Sequence, residues 1–169
     1  MTETREEALA ILDDGRREIR VLVRRLPERS LARPGLGGGE WSPKDLVGHL
    51  ASWEEHALEA LAAWGAGDAA PIDRELHERG VNAVNEEAVA AKSKLTVDEV
   101  LHDAEVAHAS LMGAIRGISD AAWERPATAR GRKTLGHRLG QILGGPGGGF
   151  RHADAHLPDL RAFADAPPG

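Results

Sequence analysis

Cysteine is absent from the 169 residues, and so is tyrosine. Without thiols there is no disulfide, no thiolate metal site, no iron–sulfur cluster and no cysteine nucleophile. Aromatic side chains are few, four Trp and two Phe. The core must then rest on Ala, Leu, Val and Ile, which suits helices better than sheets. No apolar run approaches the ~18 residues of a membrane span. The stretch Met1 to Glu7 is acidic and lacks the apolar centre of a signal peptide. No Walker-type phosphate loop and no serine–histidine–acid arrangement is readable. The glycine run Gly35 to Gly39 lacks the preceding strand that a dinucleotide fold requires. What is present in excess is acid: 27 Asp and Glu against 21 Lys and Arg, a formal net charge of −6. Such a balance argues against nucleic-acid phosphates and anionic membranes as partners. With 41% apolar and 28% charged residues, the expectation is one cytoplasmic domain spanning residues 1–169, with a frayed tail over 165–169. Its expected partner is a small-molecule substrate, with no nucleic acid, no membrane, and a homodimer left open.

The apolar spacing is helical almost throughout. Thr4 and Glu7 form a capping box ahead of a helix over Arg5 to Leu26, and Pro27 ends it. Ser42 caps the next helix, Pro43 occupies its first turn, and Asp45 complements the positive helix end. Its stripe reads Leu46, His49, Leu50, Trp53, Ala57, Ala60, Leu61, Trp64. Residues 65–95 form a long connection with a short helix over Asn82 to Lys92. A second capping box, Thr96 with Glu99, starts a third helix with Val100, Leu101, Ala104, His108, Leu111 and Ile115 on one stripe. Ser119 to Pro126 reads as a turn with a buried Trp123, and Thr134 to Leu143 as a weak helix. The run Gly144-Gly145-Pro146-Gly147-Gly148-Gly149 then breaks the chain ahead of a last helix from Phe150 to Ala164, with Pro158 inside it. The fold class is all-α: a four-helix bundle with a long connection between its second and third helices.

Chemistry concentrates in the histidines. His152 and His156 are four apart, one turn above the other, on a face that continues through Leu160 and Phe163. His49 lies at the edge of the second helix's core stripe. Three imidazoles thus point inward from two helices, and a buried unpaired imidazole is costly. A divalent ion gives all three a common purpose and keeps a coordination position open. Zinc suits nitrogen ligands, and nickel, iron(II), manganese and copper suit them too. The same spacing also suits a solvated histidine pair and a satisfied core histidine, and periodicity alone leaves these readings open.

The segment Glu40 to His56, EWSPKDLVGHLASWEEH, resembles the second-helix signature of the DinB/YfiT-like superfamily of four-helix-bundle metalloenzymes. Asn82 to Leu111, NAVNEEAVAAKSKLTVDEVLHDAEVAHASL, is similar to the middle of its DfsB/ClbS-type branch, and Phe150 to Phe163, FRHADAHLPDLRAF, to its end. The resemblance implies a metal held by His49, His152 and His156, zinc or nickel above all. It also implies activation of water or an external low-molecular-weight thiol against an electrophilic small molecule, as in an S-transferase or a self-resistance hydrolase. The competing class is a non-catalytic helical binding or sequestering protein without metal. One departure from relatives stands out: the break at Gly144 to Gly149 either displaces the histidine pair from His49 or forms a mobile lid.

Secondary candidates carry plainer readings. Asp45 is placed to orient His49 as an outer carboxylate, or serves only the helix end. His108 is a fourth ligand, a proton shuttle, or, the favoured reading, a core histidine bonded to a carbonyl. His56, Trp53 and Arg151 are expected along the substrate pocket, with a surface histidine, a core tryptophan and a solvated arginine as the plainer outcomes. Glu54 and Glu55 read as surface charges.

Overall fold

A computed structural model describes residues 3–166. Helix α1 (Arg5–Arg25) is followed by a one-turn α2 (Glu28–Leu31), and α3 (Pro43–Ala66) by α4 (Pro71–Lys92). Then come α5 (Val97–Arg116), one-turn α6 (Asp120–Trp123), α7 (Leu135–Ile142) and α8 (His152–Asp165). No strand occurs among the described residues; one isolated bridge joins Pro126 and Thr134. α1 packs on α8 and α5, and α3 packs on α5 and α8, which closes the ring of a four-helix bundle. α4 lies along the outside of α3.

The helix starts follow from local chemistry. Thr4–Glu7, Ser42–Asp45 and Thr96–Glu99 are reciprocal capping boxes on α1, α3 and α5. Each satisfies two backbone N–H groups that the helix itself cannot, worth about 1 kcal/mol per cap. Asp45 serves this role through one oxygen: its Oδ2 accepts from the Ser42 backbone N–H at 2.9 Å and from its hydroxyl at 2.7 Å. The apolar stripes then meet in two buried groups. One gathers Trp53, Trp64, Leu111, Ile115, Trp123, Leu139 and Phe150. The other gathers Ile19, Leu46, Leu50, Val100, Leu160 and Phe163.

Two elements differ from expectation. The connection after α3 is helical from Pro71, because Pro71 opens the first turn and Ile72 is buried; the helix is interrupted at Gly80, at φ 77° and ψ 162°. The last helix runs to Asp165, unbroken at Pro158, with Ala166 as its cap. Residues 167–169 of the expected frayed tail lie outside the described residues, as do Met1 and Thr2 of the N-terminal stretch. No helix among the described residues is long and apolar enough to cross a membrane.

Candidate metal centre

His49 is held on the buried face of α3, about two turns past the Ser42 cap, with Leu46, Leu50 and Trp53 also buried on that helix. His152 and His156 lie on the first two turns of α8. Whether these two stretches meet depends on the glycine–proline run. That run folds as a tight turn, and the His152 backbone N–H donates to the Leu143 carbonyl at 3.0 Å, tying α8 to the end of α7. Gly145 adopts φ +54°, and a Cβ there would lie 2.9 Å from Cδ2 of His152. The turn therefore needs glycine both for its backbone and for the space of the imidazole. On the other flank Gly15 lets α1 approach α8 closely, since a Cβ would meet Cβ of Ala153 at 3.0 Å. The break brings the pair to His49 rather than displacing it.

The three rings converge. His49 Nε2 and His152 Nε2 are 3.0 Å apart and buried. One nitrogen from each of His49, His152 and His156 lies within 4.8 Å of the other two. Ring centroids are separated by 4.8 Å for His49–His152, 5.3 Å for His49–His156 and 5.2 Å for His152–His156. Zinc–nitrogen bonds of about 2.0–2.1 Å at tetrahedral angles place nitrogens about 3.3 Å apart. The observed spread brackets that value, and drawing the third ring in by about 1–1.5 Å would complete the set.

Electrostatics keep the rings neutral. Burial above all, together with the neighbouring His152 and His156, pushes His49 down to about 2. Burial, then His156, lowers His152 to about 4. Burial also lowers His156, against the upward pull of Asp159. Neutral imidazole is the metal-binding form, so protons compete poorly here near neutral pH. Two neutral rings with Nε2 atoms 3.0 Å apart are a donor set that fits a divalent ion.

The surroundings correct several expectations. Nδ1 of His49 has no hydrogen-bond partner, so Asp45 does not orient it; the carboxylate is committed to the Ser42 cap. The ring is flanked by Trp41, with centroids 4.8 Å apart, and by Trp53 at 6.5 Å. Trp53 is buried and donates through Nε1 to Asn85 Oδ1 at 3.0 Å. Neither Trp41 nor Asn85 carries a metal-site signal in the sequence. His56 is half-buried beside Trp53, ring centroids 5.7 Å apart. Arg151 is exposed and lies 3.7 Å from the Asp154 carboxylate. His108 joins neither the triad nor a carbonyl: its Nδ1 bonds Glu54 Oε1 at 2.8 Å, both side chains buried. Glu54 is thus a core carboxylate, and only Glu55 is a surface charge, paired with Lys92 at 3.0 Å. A cavity of about 20 Å³ beside His152, bordered by Arg16 and Glu54, has room for a single water.

A family model for the DinB superfamily matches residues 11–144. The chain belongs to the DinB superfamily. The matched span contains His49 and stops before His152 and His156. No curated protein matches the chain in sequence. Among solved structures, an uncharacterised protein from Escherichia coli UTI89 superposes with a TM-score of 0.77 at 16% identity, covering 97% of this chain and 94% of that one. The colibactin self-resistance protein ClbS, in complex with a dsDNA, gives 0.78 at 13% identity with 99% of both chains covered. The mycothiol-dependent maleylpyruvate isomerase gives 0.68 at 22% identity; 94% of this chain is covered, but only 61% of the isomerase. At these identities the likeness establishes a shared DinB-type fold.

The ClbS complex overturns one expectation. Net charge does not exclude nucleic acid for this family, since a protein of the same fold is seen with dsDNA. The physical reason is that net charge averages over the surface: residues 16–33 alone hold seven arginines against two glutamates.

Proposed function

We propose that this DinB-superfamily protein is a metal-dependent enzyme in which His49, His152 and His156 hold one divalent transition ion, zinc or nickel. The reading rests on a single observation: three imidazoles from α3 and α8 converge, with a buried Nε2–Nε2 separation of 3.0 Å. When bound, the ion supplies Lewis-acid activation of water or of a thiol. The remaining work falls to the chain. Trp41 and Trp53 pack beside the buried His49 ring. The turn at Gly145 fixes His152 against the end of α7. Because the protein has no cysteine, a thiolate nucleophile must arrive as a low-molecular-weight thiol. The target is an electrophilic small molecule, attacked either by the thiol or by water. The mycothiol-dependent isomerase among the fold relatives supports the involvement of a low-molecular-weight thiol, and the self-resistance protein ClbS a protective role.

The test is to load the untagged protein with zinc or nickel and present a panel of epoxides, activated alkenes and strained rings, with and without a low-molecular-weight thiol. Turnover that needs the metal supports the enzyme. Stoichiometric capture without turnover, unchanged by chelation, would assign the protein to the non-catalytic sequestering class.

A further inference from the structure

Helix α1 carries a charge where its apolar stripe calls for a hydrophobe. Leu12, Arg16, Ile19 and Val23 share its buried face, and Arg16 is only 4% exposed. Neither Nη1 nor Nη2 of Arg16 has a hydrogen-bond partner. A buried guanidinium without hydrogen bonds is among the costlier groups a core can hold.

Arg16 lines a groove of about 460 Å³ between α1, α3 and α5, within the usual range for small-ligand sites. Val23, Val47 and Leu101 provide apolar walls, and Arg20 and Arg24 continue the basic row from Arg16 at successive helical turns. The carboxylate there, Glu105, is already engaged by Arg20, through bonds of 3.0 and 2.7 Å. Arg16 and Arg24 make no hydrogen bond to a carboxylate in the cleft, although Glu105 feels the charge of Arg16 and Glu54 borders the small cavity on its other flank. The groove shares only Arg16 with the small cavity beside His152.

We infer that this groove is a second binding site, for a small organic anion: a carboxylate on a flat apolar body. Arg16 and Arg24 take the anionic group, and Val47 and Leu101 take the body. Arginine suits a carboxylate because its planar fork matches the two oxygens. The inference stands apart from the metal reading, since no histidine of the triad lines the groove.

Calorimetric titration of the full-length protein with 2-naphthoate, and with 2-naphthylmethanol as its uncharged counterpart, tests it. One naphthoate per chain should bind at least about tenfold more tightly than the alcohol, the scale of one charge-assisted contact. Arg24→Glu, on an exposed position, should weaken naphthoate at least about tenfold and leave the alcohol unchanged. Arg16→Met should do the same with helical circular dichroism intact, and Leu101→Trp should block both ligands. Should Arg16→Met fail to fold, Arg24→Glu and Leu101→Trp decide. Equal binding of acid and alcohol, or no naphthoate binding at millimolar concentration, would overturn the inference. So would loss of binding in His156→Ala, which would put the ligand at the triad. Salt-sensitive binding of duplex DNA through Arg24 in place of naphthoate would make the face a nucleic-acid surface and equally overturn it.

Discussion

Acid should unfold the metal-free protein early, and His49 and His152 contribute an amount that can be worked out. His49 and His152 are buried, 2% and 9% exposed, and their folded values lie near 2 and near 4. In the unfolded chain each titrates near about 6.5. Lowering the pH from 7.5 to 5 therefore protonates both in the unfolded state and neither in the folded one. Folded values below unfolded values mean that this stability is whole above about pH 6.5. It falls as the pH drops, until about pH 4 for His152 and about pH 2 for His49. At about 1.4 kcal/mol per unit and group, the loss by pH 5 is about 2 kcal/mol each, about 4 kcal/mol together. With a urea m-value of about 2 kcal/mol/M, the midpoint should move down by about 2 M. Urea titrations in chelator across this range measure it. His152→Gln, which cannot titrate, should recover about 2 kcal/mol of the pH-dependent loss. A flat profile between pH 7.5 and 5, or one that His152→Gln leaves unchanged, would refute the claim that these rings are buried and neutral.

Three further outcomes follow from the same geometry. His156→Ala should weaken zinc binding at least about 100-fold in a competition assay with a chromogenic chelator while leaving the helical circular dichroism unchanged. Glu54→Ala strands the buried His108 Nδ1, now bonded at 2.8 Å, and should cost about 2–3 kcal/mol in urea unfolding; Glu54→Gln, which keeps a bonding group, should cost less. Gly145→Ala forces a side chain onto a φ of +54° and to within 2.9 Å of the His152 ring. It should cost about 1–2 kcal/mol in stability and weaken zinc binding by tenfold or so.

The parts of this structure legible in the sequence are those governed by residues close together in the chain. The caps Thr4–Glu7 and Thr96–Glu99 span three residues each, and the i, i+4 spacing of His152 and His156 puts both on one face whatever the fold. Chain-distant facts were not legible in the same way. Glu54 has the spacing of a surface charge, and only its partner His108, on another helix, makes it a core group. Trp41 lies in a loop and reaches His49 through the turn before α3. Arg16 did leave a signal, a charge in register between Leu12 and Ile19, but a stripe tolerates one polar interruption on the solvent side. The packing of α3, α5 and α8 around α1 buries it. The run at Gly144 to Gly149 misled because glycine composition marks a break without specifying its direction. The direction is set by the steric demand of the His152 ring and by the bond to Leu143.

X-ray absorption at the metal edge of the zinc-loaded, untagged protein tests the central claim most directly, together with the metal content per chain. One zinc per chain should show three imidazole nitrogens at about 2.0–2.1 Å, with one of them lost in each of His49→Ala, His152→Ala and His156→Ala. Less than about half an equivalent of zinc or nickel after loading, or a His49→Ala variant that binds zinc as tightly and with the same ligand shell, would contradict it.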